Sequence, residues 1–488
     1  MRTGSYIAGQ WVHPSSTRTV RNLNPADPSD VIAEFPAASA ADAVRAIEAA
    51  KAAARGWRET PAPERGRVLW RAADIARRRA EEIAQTMTRE EGKIIREARG
   101  EVTRGIAVLE YYAGAGFRIA GRTLPAEARD TFTYTIRRPL GVVGLITPWN
   151  FPWAIPVWKS APALVAGNAV VLKPAELTPA TAVILAEIYE EAGVPPGVFN
   201  LVVGPGGEVG SAIVDHPDVR AVSFTGSNAV GMALYARAAQ RGAKVTCEMG
   251  GKNAVIVLPD ANLEKAAAAI ASGAFGSTGQ RCTATSRVVA HPDIRGPLIE
   301  QLDALAAALK MGAGLDETTD LGPAVSADQL QTDLRYISIA TDEGARLVRG
   351  GRQHEALPGY FVEPTIFDQV APGSRIFREE VFGPVLAVST ASSLAEALEI
   401  ANGVEYGLAA SIFTQDIDTA LRFVEEAEVG MVHINEATVG GEAQLPFGGS
   451  KSTGVGEREM SEEGLHFFTE LKTVFVNYGA SGKPLSMR

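Results

Sequence analysis

Cys282 is the residue most able to do covalent chemistry. It stands in Gly276-Ser-Thr-Gly-Gln-Arg-Cys282-Thr-Ala-Thr, where a polar loop and the adjacent Arg281 would favour a thiolate. A lone cysteine is more commonly a small buried hydrophobe, and Cys247, within Lys244-Val-Thr-Cys-Glu-Met249, fits that reading. Glu248 follows it at a strand end beside Gly250-Gly251, placed to serve either as a general base or as an ion-pair partner. Asn150, in Pro148-Trp-Asn-Phe-Pro152, carries an amide that can donate to a developing oxyanion. Glu176, in Lys173-Pro-Ala-Glu176, can accept from ribose hydroxyls or be a solvated surface acid. Two glycine-rich turns join strand to helix. Gly204-Pro-Gly-Gly-Glu-Val-Gly210 departs from Gly-x-Gly-x-x-Gly spacing and is equally a tight turn without ligand. Phe224-Thr-Gly226-Ser227 opens a helix whose free N–H groups suit a pyrophosphate.

The elements that must position these residues alternate between buried strand and helix. Strands are expected at Val142–Thr147, Ala169–Lys173, Asn200–Gly204 and Val219–Phe224, with helices at Ala154–Ala166, Thr178–Ala192 and from Asn228. A second series starts at Asn253–Leu258 and recurs at Arg287–Ala290, Leu408–Phe413 and Gly430–Asn435. Such alternation marks parallel sheets covered by helices on both faces, so two α/β domains are expected, with a boundary near Glu248 to Lys252. Before them lie short strands between Tyr6 and Asn24. A helix capped by Ser39 follows, then amphipathic helices over Pro61–Gly92 and Ile95–Gly116. The piece from Thr123 to Arg138 alternates like a half-exposed strand but has no partner nearby in sequence, so it pairs elsewhere in the chain or with another subunit.

Composition narrows the classes. The chain has 488 residues, enough for about three domains, with 46% hydrophobic and 21% charged residues, as in globular enzymes. Its glycine count of 49 is about a tenth, against a usual ~7%. A net charge of −10 argues against a nucleic-acid or membrane-surface protein. With 2 cysteines, a disulfide scaffold and a four-thiolate zinc site are excluded, and no metal is expected. The uncharged stretch Pro139–Trp158 is broken by Pro148, Pro152 and Pro156, so no membrane span is expected there. The start, Met1-Arg-Thr-Gly-Ser-Tyr, lacks the apolar core of a signal peptide, and a cytoplasmic location is expected.

Taken together, the chain resembles the aldehyde dehydrogenase superfamily. Eight markers occur in family order: Pro148-Trp-Asn-Phe-Pro152, Trp158-Lys159, Lys173-Pro-Ala-Glu176, Phe224-Thr-Gly-Ser227, Glu248-Met-Gly-Gly-Lys-Asn253, Gly279-Gln-Arg-Cys282, Glu380-Val-Phe-Gly-Pro384 and Pro446-Phe-Gly-Gly-Ser-Lys451. Met249 stands where Leu is common and Thr453 where Ser is common, and neither is expected to touch the chemistry. The resemblance implies the aldehyde dehydrogenase fold, with a Rossmann-like NAD-binding domain over 1–122 and 141–250 and a catalytic domain over 251–449. It implies oligomerisation strands over 123–140 and 468–488, the orphan strand joining one near Leu471 to Tyr478, and a homodimer or homotetramer. It implies that Cys282 attacks the aldehyde, that Asn150 and the Cys282 backbone N–H hold the oxyanion, and that Glu248 activates water, with Lys159 and Glu459 as proton-relay members. Lys173 and Glu176 would hold the adenosine ribose, Trp149 and Ser227 the phosphates beside Gly204 and Gly226, and Glu380 and Phe382 the nicotinamide end. A Glu at position 176 favours NAD, with NADP possible.

The aldehyde would enter past Phe151, Trp158, Arg281, Thr283 and Phe447. Aromatic walls suit an apolar aldehyde, whereas Arg281 beside the nucleophile suits an anion. The segments Gly279–Arg287 and Glu436–Gln444 look most like those of 2,5-dioxovalerate (α-ketoglutarate semialdehyde) dehydrogenases, so a small ω-oxo acid is the expected substrate. The alternatives are a neutral aromatic or aliphatic aldehyde, with Arg281 pointing outward; a non-catalytic relative, against which Cys282 and Glu248 both speak; and a CoA-acylating relative, against which Glu248 speaks.

Overall fold

The structure is a computed structural model that describes residues 2–14 and 17–479. An eight-stranded sheet has the order Gln10–Val12, Ser5–Ile7, Phe199–Leu201, Ala169–Lys173, Val142–Ile146, Val219–Thr225, Lys244–Glu248, Gly454–Val455. The five strands from Phe199–Leu201 to Lys244–Glu248 run parallel, and most of their residues are buried, as in strands covered on both faces. Of these five, Val142–Ile146 is first in the chain. Its successors are laid down on one side and then, from Val219–Thr225, on the other, so order reverses between these two strands. Their carboxyl ends, Thr147 to Asn150 and Gly226-Ser227, therefore flank the crevice where open α/β sheets bind ligands.

A seven-stranded sheet has the order Arg346–Arg349, Thr365–Asp368, Val385–Thr390, Thr285–Ala290, Asn253–Val257, Ala409–Phe413, Met431–Ile434, all parallel except the first. Three of these strands, Arg346–Arg349, Thr365–Asp368 and Val385–Thr390, were absent from the sequence expectation. The last strand of the first sheet, Gly454–Val455, pairs antiparallel with Lys244–Glu248 and was equally unforeseen; it draws the 450s back across the first sheet.

The helix expected over Pro61–Gly92 is two, Ala62–Arg78 and Ala80–Glu91, while Ile95–Ala115 is continuous as expected. Ser39 caps Ala40–Glu59 in a capping box with Asp42. The orphan strand finds its partner within the chain: Thr131–Pro139 pairs antiparallel along its whole length with Thr469–Asn477, and with Thr123–Leu124. The part of the expected C-terminal segment at 480–488 lies outside the described residues. Among the described residues, no helix is long and apolar enough to cross a membrane.

Candidate active site

The two sheets present opposite ends to one cleft. Glu248 ends a strand of the first sheet, whereas Cys282 and Glu380 lie just before strands of the second, Thr285–Ala290 and Val385–Thr390. The turn before Cys282 is held in an uncommon backbone shape. Ser277 and Thr278 have φ of 48° and 56°. At Gly279, with φ +69°, a Cβ would come within 2.1 Å of the Gly383 carbonyl oxygen, so only glycine fits. The Cys282 carbonyl accepts from Asn253 Nδ2 at 2.8 Å, anchoring the Cys282 backbone to the strand after Gly251. Asn150, buried, donates one N–H of its amide to the Gln280 carbonyl at 3.0 Å, which leaves the second N–H for another acceptor.

Cys282 separates two cavities. The first, about 330 Å³, is walled by Phe151, Trp158, Thr283 and Phe447, with Glu97, Glu101 and Arg104 along one helix face and Arg281 opposite. All five expected substrate residues are therefore brought together. The second, about 290 Å³, is lined by Trp149, Asn150, Thr225, Gly226, Ser227, Met249, Glu380 and Phe382. Ser227 caps the helix Asn228–Gln240 without using its side chain, so both its hydroxyl and the first-turn N–H groups face no intrahelical partner. The buried Thr225 hydroxyl likewise has no partner. Glu380 accepts the Gly251 N–H at 2.8 Å, and a Cβ on Gly250 would fall 2.1 Å from its carboxylate. Phe382, at φ +63°, sets its ring edge-on to Trp149, centroids 5.4 Å apart. An unpartnered hydroxyl, free helix N–H groups and a carboxylate pressed against glycine suit a phosphate-linked ribose ligand.

Beyond this cavity, Lys173, Glu176 and Gly206 meet. Glu176 accepts the Gly206 N–H at 2.8 Å, and Lys173, buried, gives its ammonium to the Pro174 carbonyl at 2.7 Å. Burial lowers the Lys173 pKa to about 8. Gly204 stands apart: it is packed against the Ala38 carbonyl and Val209, and a Cβ there would meet that oxygen at 2.5 Å. Its turn continues into Gly206–Gly210, where Glu208 pairs with Arg18 and accepts the Ala40 N–H.

The electrostatics correct the reading of Cys282. Arg281 does not favour its thiolate, because the guanidinium is paired with Glu97 at 2.9 Å and held by the Ser277 hydroxyl at 3.0 Å. Burial instead pushes the Cys282 thiol up to about 12, and the charges of Glu380 and Glu248 add to that. The Thr283 N–H and Arg104 act in the opposite direction. Arg104 was missed by sequence reasoning. Its guanidinium lies 5.6 Å from the centre of the Trp158 ring and donates to the Met460 sulfur at 3.8 Å, and its buried Nε has no partner. Among the described residues no carboxylate stands within ion-pair distance of it, and burial lowers its pKa.

Glu248 is buried, with one oxygen unpartnered; burial, and then the charge of Glu459, raises its pKa well above the usual carboxylate range. Behind it, Lys159 and Glu459 form a buried ion pair. The Lys159 ammonium also donates to the Ser223 hydroxyl at 2.7 Å, that hydroxyl donates to Glu459 at 2.9 Å, and Glu459 accepts the Trp158 indole N–H at 2.9 Å. Thr453 is nearer the chemistry than expected: its hydroxyl donates to the Gly250 carbonyl at 2.9 Å, fixing the backbone that follows Glu248. Met249 also borders the second cavity. Cys247 is buried and its thiol is pushed up to about 12, as suits a structural residue.

These features agree with what the chain is similar to. The model of the aldehyde dehydrogenase family matches residues 11–474. The alpha-ketoglutaric semialdehyde dehydrogenase of Bacillus subtilis is 48% identical over 475 residues, covering 97% of each chain. The 2,5-dioxopentanoate dehydrogenase of Saccharolobus solfataricus is 42% identical over 483 residues, covering 98% of this chain and 100% of that one. The crystal structure of betaine aldehyde dehydrogenase from Staphylococcus aureus in complex with NAD+ superposes with a TM-score of 0.96 at 33% identity, covering 99% of this chain and 96% of that one. With the family model spanning nearly the whole sequence, the chain belongs to the aldehyde dehydrogenase family.

Proposed function

We propose that this dehydrogenase oxidises a small ω-oxo acid, such as 2,5-dioxovalerate, to the dicarboxylate. Arg104 carries the reading: it is a cation in the cavity that opens on Cys282, without a carboxylate of its own. A substrate carboxylate would complete it, so the anion-binding role expected of Arg281 passes to Arg104, which lines the same cavity. Relatives named for α-ketoglutaric semialdehyde and 2,5-dioxopentanoate support the same class.

In this reading Cys282, once deprotonated, adds to the aldehyde carbon. The free N–H of Asn150 and the Cys282 backbone N–H hold the oxyanion of the resulting thiohemiacetal. NAD(P)+, when bound, supplies the hydride acceptor that makes this step an oxidation. Trp149, Gly226, Ser227, Glu380 and Phe382 would hold it in the second cavity, and Lys173 with Glu176 would hold the adenosine ribose. The thioester left on Cys282 is cleaved by water that loses a proton to Glu248, restoring the thiol and releasing the acid. A raised pKa equips Glu248 to accept that proton, and the Lys159–Ser223–Glu459 cluster is a route by which it leaves. Glu176 favours NAD over NADP because a second negative charge on the ribose would be repelled.

Residues 1–122 with 141–250 serve in this reading as the cofactor domain and 251–449 as the catalytic domain. The ribbon within 123–140 and 468–488 is the subunit contact of a homodimer or homotetramer. The exposure of Leu471 (59%), Phe475 (73%) and Tyr478 (70%) supports this. Two free cysteines, one of them the nucleophile, suit the reducing cytoplasm.

One observation favours a neutral aldehyde instead: Arg281 is already neutralised by Glu97, and three aromatic rings wall the cavity. A panel of ω-oxo acids and neutral aldehydes of equal length, assayed with the native enzyme and Arg104→Met, decides. Loss of a charge-assisted hydrogen bond costs about 1.5–3 kcal/mol, or ~10- to 100-fold in kcat/KM, for the acids beyond any loss they share with the neutral aldehydes through the Cys282 thiol. Equal losses on both classes would favour the neutral aldehyde.

A further inference from the structure

The wall of the first cavity holds a buried ion pair with no part in the steps above. Lys93 follows Gly92, which ends the helix Ala80–Glu91 at φ 97°. Its side chain and that of Glu101 are both 1% exposed, and the Lys93 ammonium donates to Glu101 Oε2 at 2.7 Å. Each partner also grips the segment that carries Asn150. The Lys93 ammonium donates to the Asn150 carbonyl oxygen at 2.7 Å and lies 4.4 Å from the centre of the Phe151 ring. Glu101 Oε1 accepts the backbone N–H groups of Trp153 and Ala154, both at 3.0 Å. Glu91 completes the cluster by accepting the Lys93 backbone N–H at 2.8 Å.

A buried pair is a poor device for stability alone, since an apolar replacement of similar volume is commonly neutral or stabilising. What this pair does achieve is a fixed place for residues 150 to 154, relative to a helix that also walls the substrate cavity. The Asn150 side chain is tied to the Cys282 loop through Gln280, and its backbone to Lys93, so the amide is located from both ends. We propose that Lys93, supported by Glu101, is a positioning residue that holds the Asn150 amide at the oxyanion of the Cys282 adduct. The inference rests on the reading of Asn150 as oxyanion donor.

The test is a double-mutant cycle on the pre-steady-state burst of NADH at saturating aldehyde. Asn150→Ala should slow the burst ~10²- to 10³-fold. Lys93→Met should slow it roughly 10- to 100-fold, a displaced donor being worth less than a good one, with the KM for NAD+ unchanged. The double variant should be as slow as Asn150→Ala and no slower, because Lys93 acts through a group already removed. Losses that multiply would overturn the proposal while leaving Asn150 its role. An unaffected burst in Asn150→Ala would overturn the oxyanion reading beneath it. If Lys93→Met does not fold, Lys93→Met/Glu101→Gln replaces it in the cycle. That variant removes both charges and keeps an acceptor for the Trp153 and Ala154 N–H groups.

Discussion

The two cavities that meet at Cys282 are close in size, about 330 and 290 Å³, and opposite in character. The first is crowded with charge: Lys93, Arg104 and Arg281 against Glu97 and Glu101. The second has Glu380 as its charged group and otherwise offers a hydroxyl, glycines, aromatic rings and a helix start. Their origins differ as well. The second lies at the topological switch of a parallel sheet, where any doubly wound fold offers a site. The first is walled by a helix outside that sheet, so it is free to vary in charge without disturbing the second. A common dehydrogenase reaction can thus be combined with a chosen aldehyde.

The sharpest way to break this division is at the residue both cavities share. Cys282→Ala should abolish aldehyde-dependent NADH formation, a loss beyond ~10⁴-fold, while NAD+ affinity measured by calorimetry is unchanged. Residual turnover would remove Cys282 from the chemistry, and lost NAD+ binding would show that the cavities are not separable. Cys247→Ala, at a buried position of the strand Lys244–Glu248, should keep full activity. Glu248→Gln comes next: the first NADH burst should survive, with steady-state turnover ~10²- to 10³-fold slower as the thioester persists. A vanished burst would move Glu248 to activation of the thiol.

The second cavity was largely legible in the sequence, and so were the five expected wall residues of the first, but the charged helix face of the first was not. Apolar strands and the glycine turn after Phe224 follow from local rules, and the residues expected at the cofactor line one cavity, apart from Gly204, Lys173 and Glu176. The resemblance supplied the order of the motifs. By contrast, Glu97, Glu101 and Arg104 lie at i, i+4 and i+7 on the helix Ile95–Ala115, a charged stripe that in sequence reads as a solvated face. Only tertiary packing buries it. Arg281 misled for a related reason. Adjacency to Cys282 in the chain suggested a shared pocket, which the two residues do line, and a favoured thiolate, but the guanidinium's partner, Glu97, is 184 residues away. The pairing of Gly454–Val455 with Lys244–Glu248 is equally nonlocal, and it sets Glu459 against Lys159.

The pH profile tests the charge balance around Cys282. With the thiol pushed up to about 12, the thiolate fraction at neutral pH is small and rises tenfold per pH unit. The burst rate at subsaturating aldehyde should therefore climb between pH 7 and 9 by up to ~100-fold, until another step limits it. Arg104 lowers the thiol pKa, so Arg104→Met should shift this rise to higher pH. A flat profile would mean that the thiol is ionised by neutral pH and that the burial of Cys282 is offset by charge.

The smallest expected effect probes the first cavity alone. Glu97 takes the charge of Arg281 at 2.9 Å, in a pair whose side chains keep 17% and 20% of their exposure, so the pair is partly screened and modest in strength. Glu97→Gln removes the countercharge and keeps an oxygen to accept the Ser277 N–H, now 2.8 Å from Glu97, so the loop before Cys282 keeps its anchor. Arg281 would then join Arg104 in facing the cavity as a cation. For an ω-oxo acid, KM should fall about 3- to 10-fold with kcat unchanged, the worth of one partly exposed charge interaction. For a neutral aldehyde of the same length it should not move. A KM for the acid that stays fixed would mean that its carboxylate reaches Arg104 alone. A KM that rises would mean that Glu97 orients Arg281 toward the substrate.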